Sequence, residues 1–255
     1  MDAVAPGPAL TVSAELVLWI GAAIFAIAVL YSSVGHAGAS GYIAVMSLAS
    51  LAPEVIKPTA LCLNILVASI ASWQFLRAGH FAWRTFWPFA LLAVPLAFVG
   101  GHVSLPAQAF RILLGLVLLV AAVRFVFDSR QDPVCREVPR GPALAAGGVI
   151  GLLSGLTGTG GGIFLTPLLL HMRWARAKQA AAVSALFILL NSTAGLAGNL
   201  ASTRHLPDAL WPWLGAAALG GVIGAHLGSR RLAPAWIKRF LAAVLLIAGL
   251  KLILS

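Results

Sequence analysis

The chain has 255 residues, 60% of them hydrophobic and 9% charged, with a mean hydropathy of +0.97 and a net charge of +10. A soluble globular chain carries about 25% charged residues, so this composition excludes a water-soluble enzyme, a disordered tail and a disulfide-stapled scaffold, and leaves a polytopic membrane protein. The excess of 17 Lys and Arg over 7 Asp and Glu then reads as cytoplasmic loops rather than a nucleic-acid surface, because basic residues concentrate on that side of a membrane.

Residues 1–14 read as a short extracytoplasmic tail. Met1 to Ser13 holds Asp2 and no basic residue, so it lacks the positive start of a secretory signal, and the first apolar run is expected to stay as a span. That run, 16–53, is free of Asp, Glu, Lys and Arg and too long for one helix, since about 20 apolar residues cross the hydrocarbon core. Gly35, Gly38 and Gly41 interrupt it. The pattern predicts a helix, a glycine break and a second helix returning to the starting side. Runs at 58–76 and 85–110 predict two further spans, and 112–123 a third if Arg124 snorkels to the headgroups, which completes a first transmembrane unit over 15–127. The polar stretch 128–140 is a cytoplasmic linker. A second unit, 141–255, begins with another overlong run, 141–172, broken at Gly158, Gly160, Gly161 and Gly162, and continues with spans at 179–203, 209–229 and 240–250. Cys62 lies in an apolar run and Cys135 in the linker, segments not expected to meet, so neither a disulfide nor a metal site is read and no cofactor is implied.

The basic residues test the two hairpins. With both long runs returning to their starting side, the inner loops 77–84, 124–140, 171–178 and 228–239 hold 13 of the 17 Lys and Arg residues, leaving Lys57, Arg111, Arg204 and Lys251 outside. A single crossing by the second run would turn the cluster Arg173, Arg176 and Lys178 outward, against the positive-inside bias. Both termini are then extracytoplasmic, and all eight tryptophans fall near span ends, as in an aromatic belt.

The two halves match when slid along each other. Gly41-Tyr42-Ile43 meets Gly162-Ile163-Phe164, and Lys57 meets Lys178, at an offset of 121; Trp87-Pro88 meets Trp211-Pro212, and Gly100-Gly101-His102 meets Gly224-Ala225-His226, at 124. Each unit contains an odd number of segments, so the second enters the membrane from the opposite side. The expected fold is an all-α membrane protein of two inverted-topology repeats, each a glycine-broken helical hairpin plus three transmembrane helices. Such repeats with discontinuous helices are a transporter architecture whose substrate site lies near the midplane.

The breaks are the candidate site. Nonhelical backbone at membrane depth is tolerated where protein or a water-filled cavity covers it, and a helix restarting after a break offers unpaired N–H donors and the positive end of its dipole. The candidate substrate-binding residues are Gly35, His36, Gly38, Ser40 and Gly41 in the first break and Thr157, Gly158, Thr159, Gly160, Gly161 and Gly162 in the second, joined by Asn64, Ser184 and Asn191 from the helices that follow. None of the seven carboxylates lies inside a span, which removes the ligands a metal permease needs and points to an anionic cargo. Two rival readings stand beside it. Gly38-Ala39-Ser40-Gly41 spells the G-x-S-G of an intramembrane serine protease, with His102 or His226 as base; a cation permease is the other.

Three features together resemble the TauE/SafE sulfite exporter family: the glycine-broken first helix, the stretch T-G-T-G-G-G-I-F-L-T-P over Thr157–Pro167, and A-x-x-x-S-A-L-F-I over Ala180–Ile188. The resemblance runs from about Leu16 to Leu254. It implies a multi-pass transporter of the bacterial inner membrane that carries sulfite, a sulfonate or a related sulfur oxyanion, with the lipid bilayer and a small anion as its partners and no nucleic acid. The first break departs from a simple mirror, with His36 standing where the second has Thr157. The absence of intramembrane carboxylates favours export over proton-coupled uptake.

Overall fold

A computed structural model describes residues 14–33, 37–126, 136–203, 207, 210–230 and 235–254. The described residues fold as ten helices in chain order: α1 (Ala14–Ser33), α2 (Ala39–Leu48), α3 (Pro53–Arg77), α4 (Trp83–His102), α5 (Ala107–Val126), α6 (Arg140–Thr157), α7 (Gly162–His171), α8 (Ala177–Thr203), α9 (Leu210–Arg230) and α10 (Ala235–Leu254). The protein is an all-α, multi-pass membrane protein. Among the described residues, four segments are long and apolar enough to cross a membrane unaided: Glu15–Ser32, Pro53–Arg77, Trp83–His102 and Lys178–Thr203. The ten-residue helices α2 and α7 are only about 15 Å long at 1.5 Å per residue. They reach half-way through a hydrocarbon core of about 30 Å.

Packing interleaves the two halves of the chain. α4 lies against α6 and α8, while α9 lies against α1 and α3. One apolar core joins α1, α2, α3 and α9 with the α5–α10 pair; a second joins α4, α6, α7 and α8. Exchanging α1 with α6, α3 with α8, α4 with α9 and α5 with α10 turns each of these pairings into another of them. Glycine permits the closest crossings. Gly147, Gly151 and Gly155 bring one face of α6 onto the carbonyls of Phe89, Ala93 and Ala97 in α4, where any Cβ would collide with backbone. Gly220 and Gly224 do the same for α9 on the carbonyls of Phe25 and Val29. Small residues repeating every four positions let membrane helices approach in this way.

The exposed tryptophans Trp19, Trp73, Trp83 and Trp211 suit an interfacial belt. Trp213 does not. Its side chain is fully buried and its indole N–H donates to the carbonyl of Val17 at 3.0 Å, tying α9 to the start of α1. Burial of an indole is tolerated because that single N–H finds a partner. The side chain of Trp236 lies outside the described residues.

Candidate functional site

The second break is built by backbone conformation. Gly158, Gly160 and Gly161 have φ of +79°, +73° and +80°, the left-handed region that side-chain-bearing residues adopt only at a cost. Gly158 ends α6, its N–H donating to the carbonyl of Ser154 at 2.8 Å, and Gly161 is the N-cap of α7 without a side-chain cap. The first bonds of α7 run from the N–H groups of Phe164 and Leu165 to the Gly161 carbonyl, each at 3.1 Å. The N–H groups of Gly162 and Ile163 precede them and have no carbonyl one turn back. They stand at the positive end of the helix dipole.

Side chains from α3, α6 and α8 close around this turn. Asn64 of α3 donates from Nδ2 to the Gly158 carbonyl at 3.3 Å, while its Oδ1 is buried without a partner. A Cβ on Gly160 would lie 2.9 Å from Ser192 Oγ, 3.1 Å from Asn64 Nδ2 and 2.8 Å from the Ile188 side chain, so these three groups close directly on the glycine backbone. Gly161 is hemmed by Ile150 and Phe187, with Ser154 just beyond. Gly158 rests on the backbone of Lys57. The hydroxyls of Ser154 and Ser192 are fully buried and unpartnered.

The two threonines of the break are committed. Thr157 Oγ1 donates to the Leu153 carbonyl at 2.7 Å and lies 3.0 Å from Thr159 Oγ1. A hydroxyl carries one proton, so Thr159 is the donor in the second bond. Neither has a proton left for a ligand in this arrangement.

The first break carries two of the expected residues, Gly35 and His36, outside the described residues. Its described part is tightly filled. Gly38, with φ of +91°, caps α2 and accepts from the N–H of Tyr42 at 3.0 Å. A Cβ there would lie 2.8 Å from the Tyr42 ring, and one on Gly41 would lie 2.5 Å from Ile27 and 2.9 Å from Tyr31. Ser40 Oγ pairs with the Tyr31 hydroxyl at 2.8 Å. Ser40 is buried and its hydroxyl is engaged by Tyr31, whereas His102 and His226, the bases nominated for the G-x-S-G sequence, are exposed.

Ser184 and Asn191 do not join the turn through the bonds they make. Ser184 Oγ accepts from Thr166 Oγ1 at 2.8 Å, and Asn191 donates to the Phe187 carbonyl of its own helix at 3.0 Å. The residues that do face Gly160 from α8 are Ile188 and Ser192, one helical turn apart. That face is a matter of register: positions i and i+4 stack, and position 191 is turned about 100° away. At the offset of 121 that pairs Gly41 with Gly162, Ser154 matches Ser33, whose side chain lies outside the described residues; the hydroxyl of the neighbouring Ser32 is buried and unpartnered. Among the described residues, no three His, Cys, Asp or Glu side chains gather where they could hold a metal ion.

The family model described as sulfite exporter TauE/SafE matches residues 20–252. The chain is similar to a protein of Sinorhizobium fredii (strain NBRC 101917 / NGR234) described as the probable membrane transporter protein y4hK, at 46% identity over 236 residues, covering 91% of this chain and 96% of that protein. No solved structure matches the chain significantly.

Proposed function

The chain belongs to the sulfite exporter TauE/SafE family, and from that premise we propose that this membrane transporter carries a small anion, sulfite or an organosulfonate, bound at the glycine breaks. The observation that carries the reading is the start of α7: three left-handed glycines in four residues, uncapped N–H groups and unpartnered buried hydroxyls, among helices α6, α7 and α8 that contain no carboxylate, while Glu15 and Glu54 stand in the first turns of α1 and α3. Helix N-termini of this kind hold anions through N–H donors and the dipole together, and transporters with broken helices use them so.

Transport is by alternating access about two inverted repeats. Because α4 packs with α6 and α8, and α9 packs with α1 and α3, with α7 and α2 sharing the respective apolar cores, the bodies that move are these two bundles, each borrowing one helix from the other half of the sequence. The close glycine crossings hold each bundle together. The protein resides in the bacterial inner membrane with both termini extracytoplasmic, and works as a carrier rather than an enzyme. Export is the favoured direction, since a negative charge leaving an inside-negative cell gains about 2.3 kcal/mol per 100 mV without a coupling ion. Uptake would need coupling, for which His36 is the candidate proton carrier.

Counterflow of labelled sulfite into proteoliposomes tests the reading, with sulfoacetate, taurine, sulfate and chloride as competitors. Saturable exchange blocked by a sulfonate is the expected result. Absence of exchange with all five, from folded protein, would remove the sulfur-oxyanion assignment.

A further inference from the structure

We propose that Ser192 and Asn64 are the side-chain ligands of the transported anion at Gly160, and that the pair selects a sulfur oxyanion bearing a hydrogen-bond donor of its own. The proposal rests on the anion-carrier reading and names what that site recognises.

Ser192 is fully buried, its hydroxyl has no partner, and it stands 2.9 Å from the position a Cβ on Gly160 would take. A serine inside a helix always has the carbonyl of residue i−4 within reach. Its neighbour Thr193 uses that option, donating to the Leu189 carbonyl at 2.8 Å, and Thr203 donates to Asn199 at 3.0 Å. Ser192 leaves the Ile188 carbonyl unused, although a buried hydroxyl without a partner is unfavourable. With the protons of Thr157 and Thr159 already spent, the donors left against Gly160 are Ser192, the first N–H groups of α7 and the second N–H of Asn64 Nδ2, which stands 3.1 Å from the position of a Cβ on Gly160.

Asn64 brings an acceptor as well as that donor. Its amide NH2 faces the Gly158 carbonyl, which fixes the orientation of the group and leaves Oδ1, an acceptor, buried and unpaired. An acceptor beside an anion is repulsive unless the anion brings a proton to it. A singly protonated oxyanion such as hydrogensulfite does so. A fully deprotonated one such as sulfate does not. Sites that hydrogen-bond a substrate N–H or O–H discriminate strongly against an isostere lacking it, because their own polar group is left unpaired.

Sulfamate and methanesulfonate separate these cases without a change of pH, because they are isosteric monoanions of which only sulfamate carries N–H donors. Binding of each to the purified full chain is measured by isothermal titration calorimetry. Wild-type protein is expected to bind sulfamate about tenfold more tightly than methanesulfonate. Ser192→Ala should weaken both about tenfold, Asn64→Leu should erase the difference between them, and Thr193→Ala should change nothing. Ser192→Ala removes a single atom, so it decides the matter even if Asn64→Leu does not fold. Equal binding of the two probes by the wild type, or no effect of Ser192→Ala, overturns the pair. If neither probe binds while labelled sulfite still exchanges in vesicles, the ligands lie elsewhere and the carrier reading survives. If sulfite does not exchange either, the reading beneath the pair has failed and the pair falls with it.

Discussion

Lys57 Nζ donates to the carbonyl of Gly101 at 2.8 Å, so an ammonium group on α3 closes the C-terminal end of α4. It also donates to Gly100 at 3.1 Å and Val103 at 3.0 Å, three carbonyls at the negative end of a helix dipole. The same lysine lies against the second break, its own carbonyl 3.1 Å from where a Cβ on Gly158 would be. Its counterpart by sequence, Lys178, is exposed. Two lysines matched by position thus stand in different surroundings.

Replacing Lys57 with methionine should therefore destabilise the protein by roughly 2–3 kcal/mol, the range for a charge-assisted hydrogen bond lost together with the pairing of buried carbonyls. Lys178→Met should stay within about 0.5 kcal/mol, as exposed substitutions do. Thermal unfolding of the two variants in detergent checks the contrast. Equal Tm values would mean that Lys57 does not hold the end of α4.

Glycine has two separate duties in this chain, and substitution distinguishes them. Gly155→Ala drives a Cβ into the Ala97 carbonyl and the Gly101 N–H group, backbone that cannot rotate aside, so a loss of about 1–3 kcal/mol or more is expected. Gly215 has nothing within 4 Å of its would-be Cβ; Gly215→Ala should be neutral or stabilising by up to about 1 kcal/mol through helix propensity. Unfolding midpoints of the two alanine variants should move in opposite directions or differ by at least that amount.

The proposed inverted arrangement of the halves predicts on which side the chain ends. A reporter fused after Ser255 should be active on the extracytoplasmic side, and one inserted in the linker at 128–140 on the cytoplasmic side. A cytoplasmic C-terminal reporter would rule out an odd number of crossings per half.

Direction can be read from voltage. In proteoliposomes with labelled sulfite inside and an imposed inside-negative potential, efflux should accelerate, by up to about 2.3 kcal/mol per 100 mV of driving force for each charge moved. Efflux indifferent to the potential would mean electroneutral exchange and would bring His36 forward as a proton carrier.

The broad plan was legible in the sequence because its signals are strong and local. Charge-free runs mark the membrane helices, and glycine clusters near Gly38 and Gly160 mark the breaks, since left-handed backbone selects glycine directly. What was not legible depended on which way a helix faces. Membrane helices are apolar all round, so α8 carries no amphipathic stripe to say that Ser192 rather than Asn191 meets the break. The same lack of pattern hides the exchange of α4 and α9 between bundles, and the burial of Trp213 against α1. The commitment of the Thr157 and Thr159 protons needed three-dimensional positions, because a hydroxyl can bond backwards to its own helix or forwards to a ligand.

Binding of the transported anion at the second break is what transport by this protein is proposed to depend on. Counterflow of labelled sulfite by Gly161→Leu, set beside Gly215→Leu and the wild type, tests it most directly. Gly161 has φ of +80° and would meet Ile150 and Phe187 at 2.9 Å, while the space beside Gly215 is open. Saturable exchange is expected of the wild type and Gly215→Leu, and none of a Gly161→Leu protein that still elutes as a folded species. Undiminished exchange by Gly161→Leu would contradict it and move the site away from the start of α7.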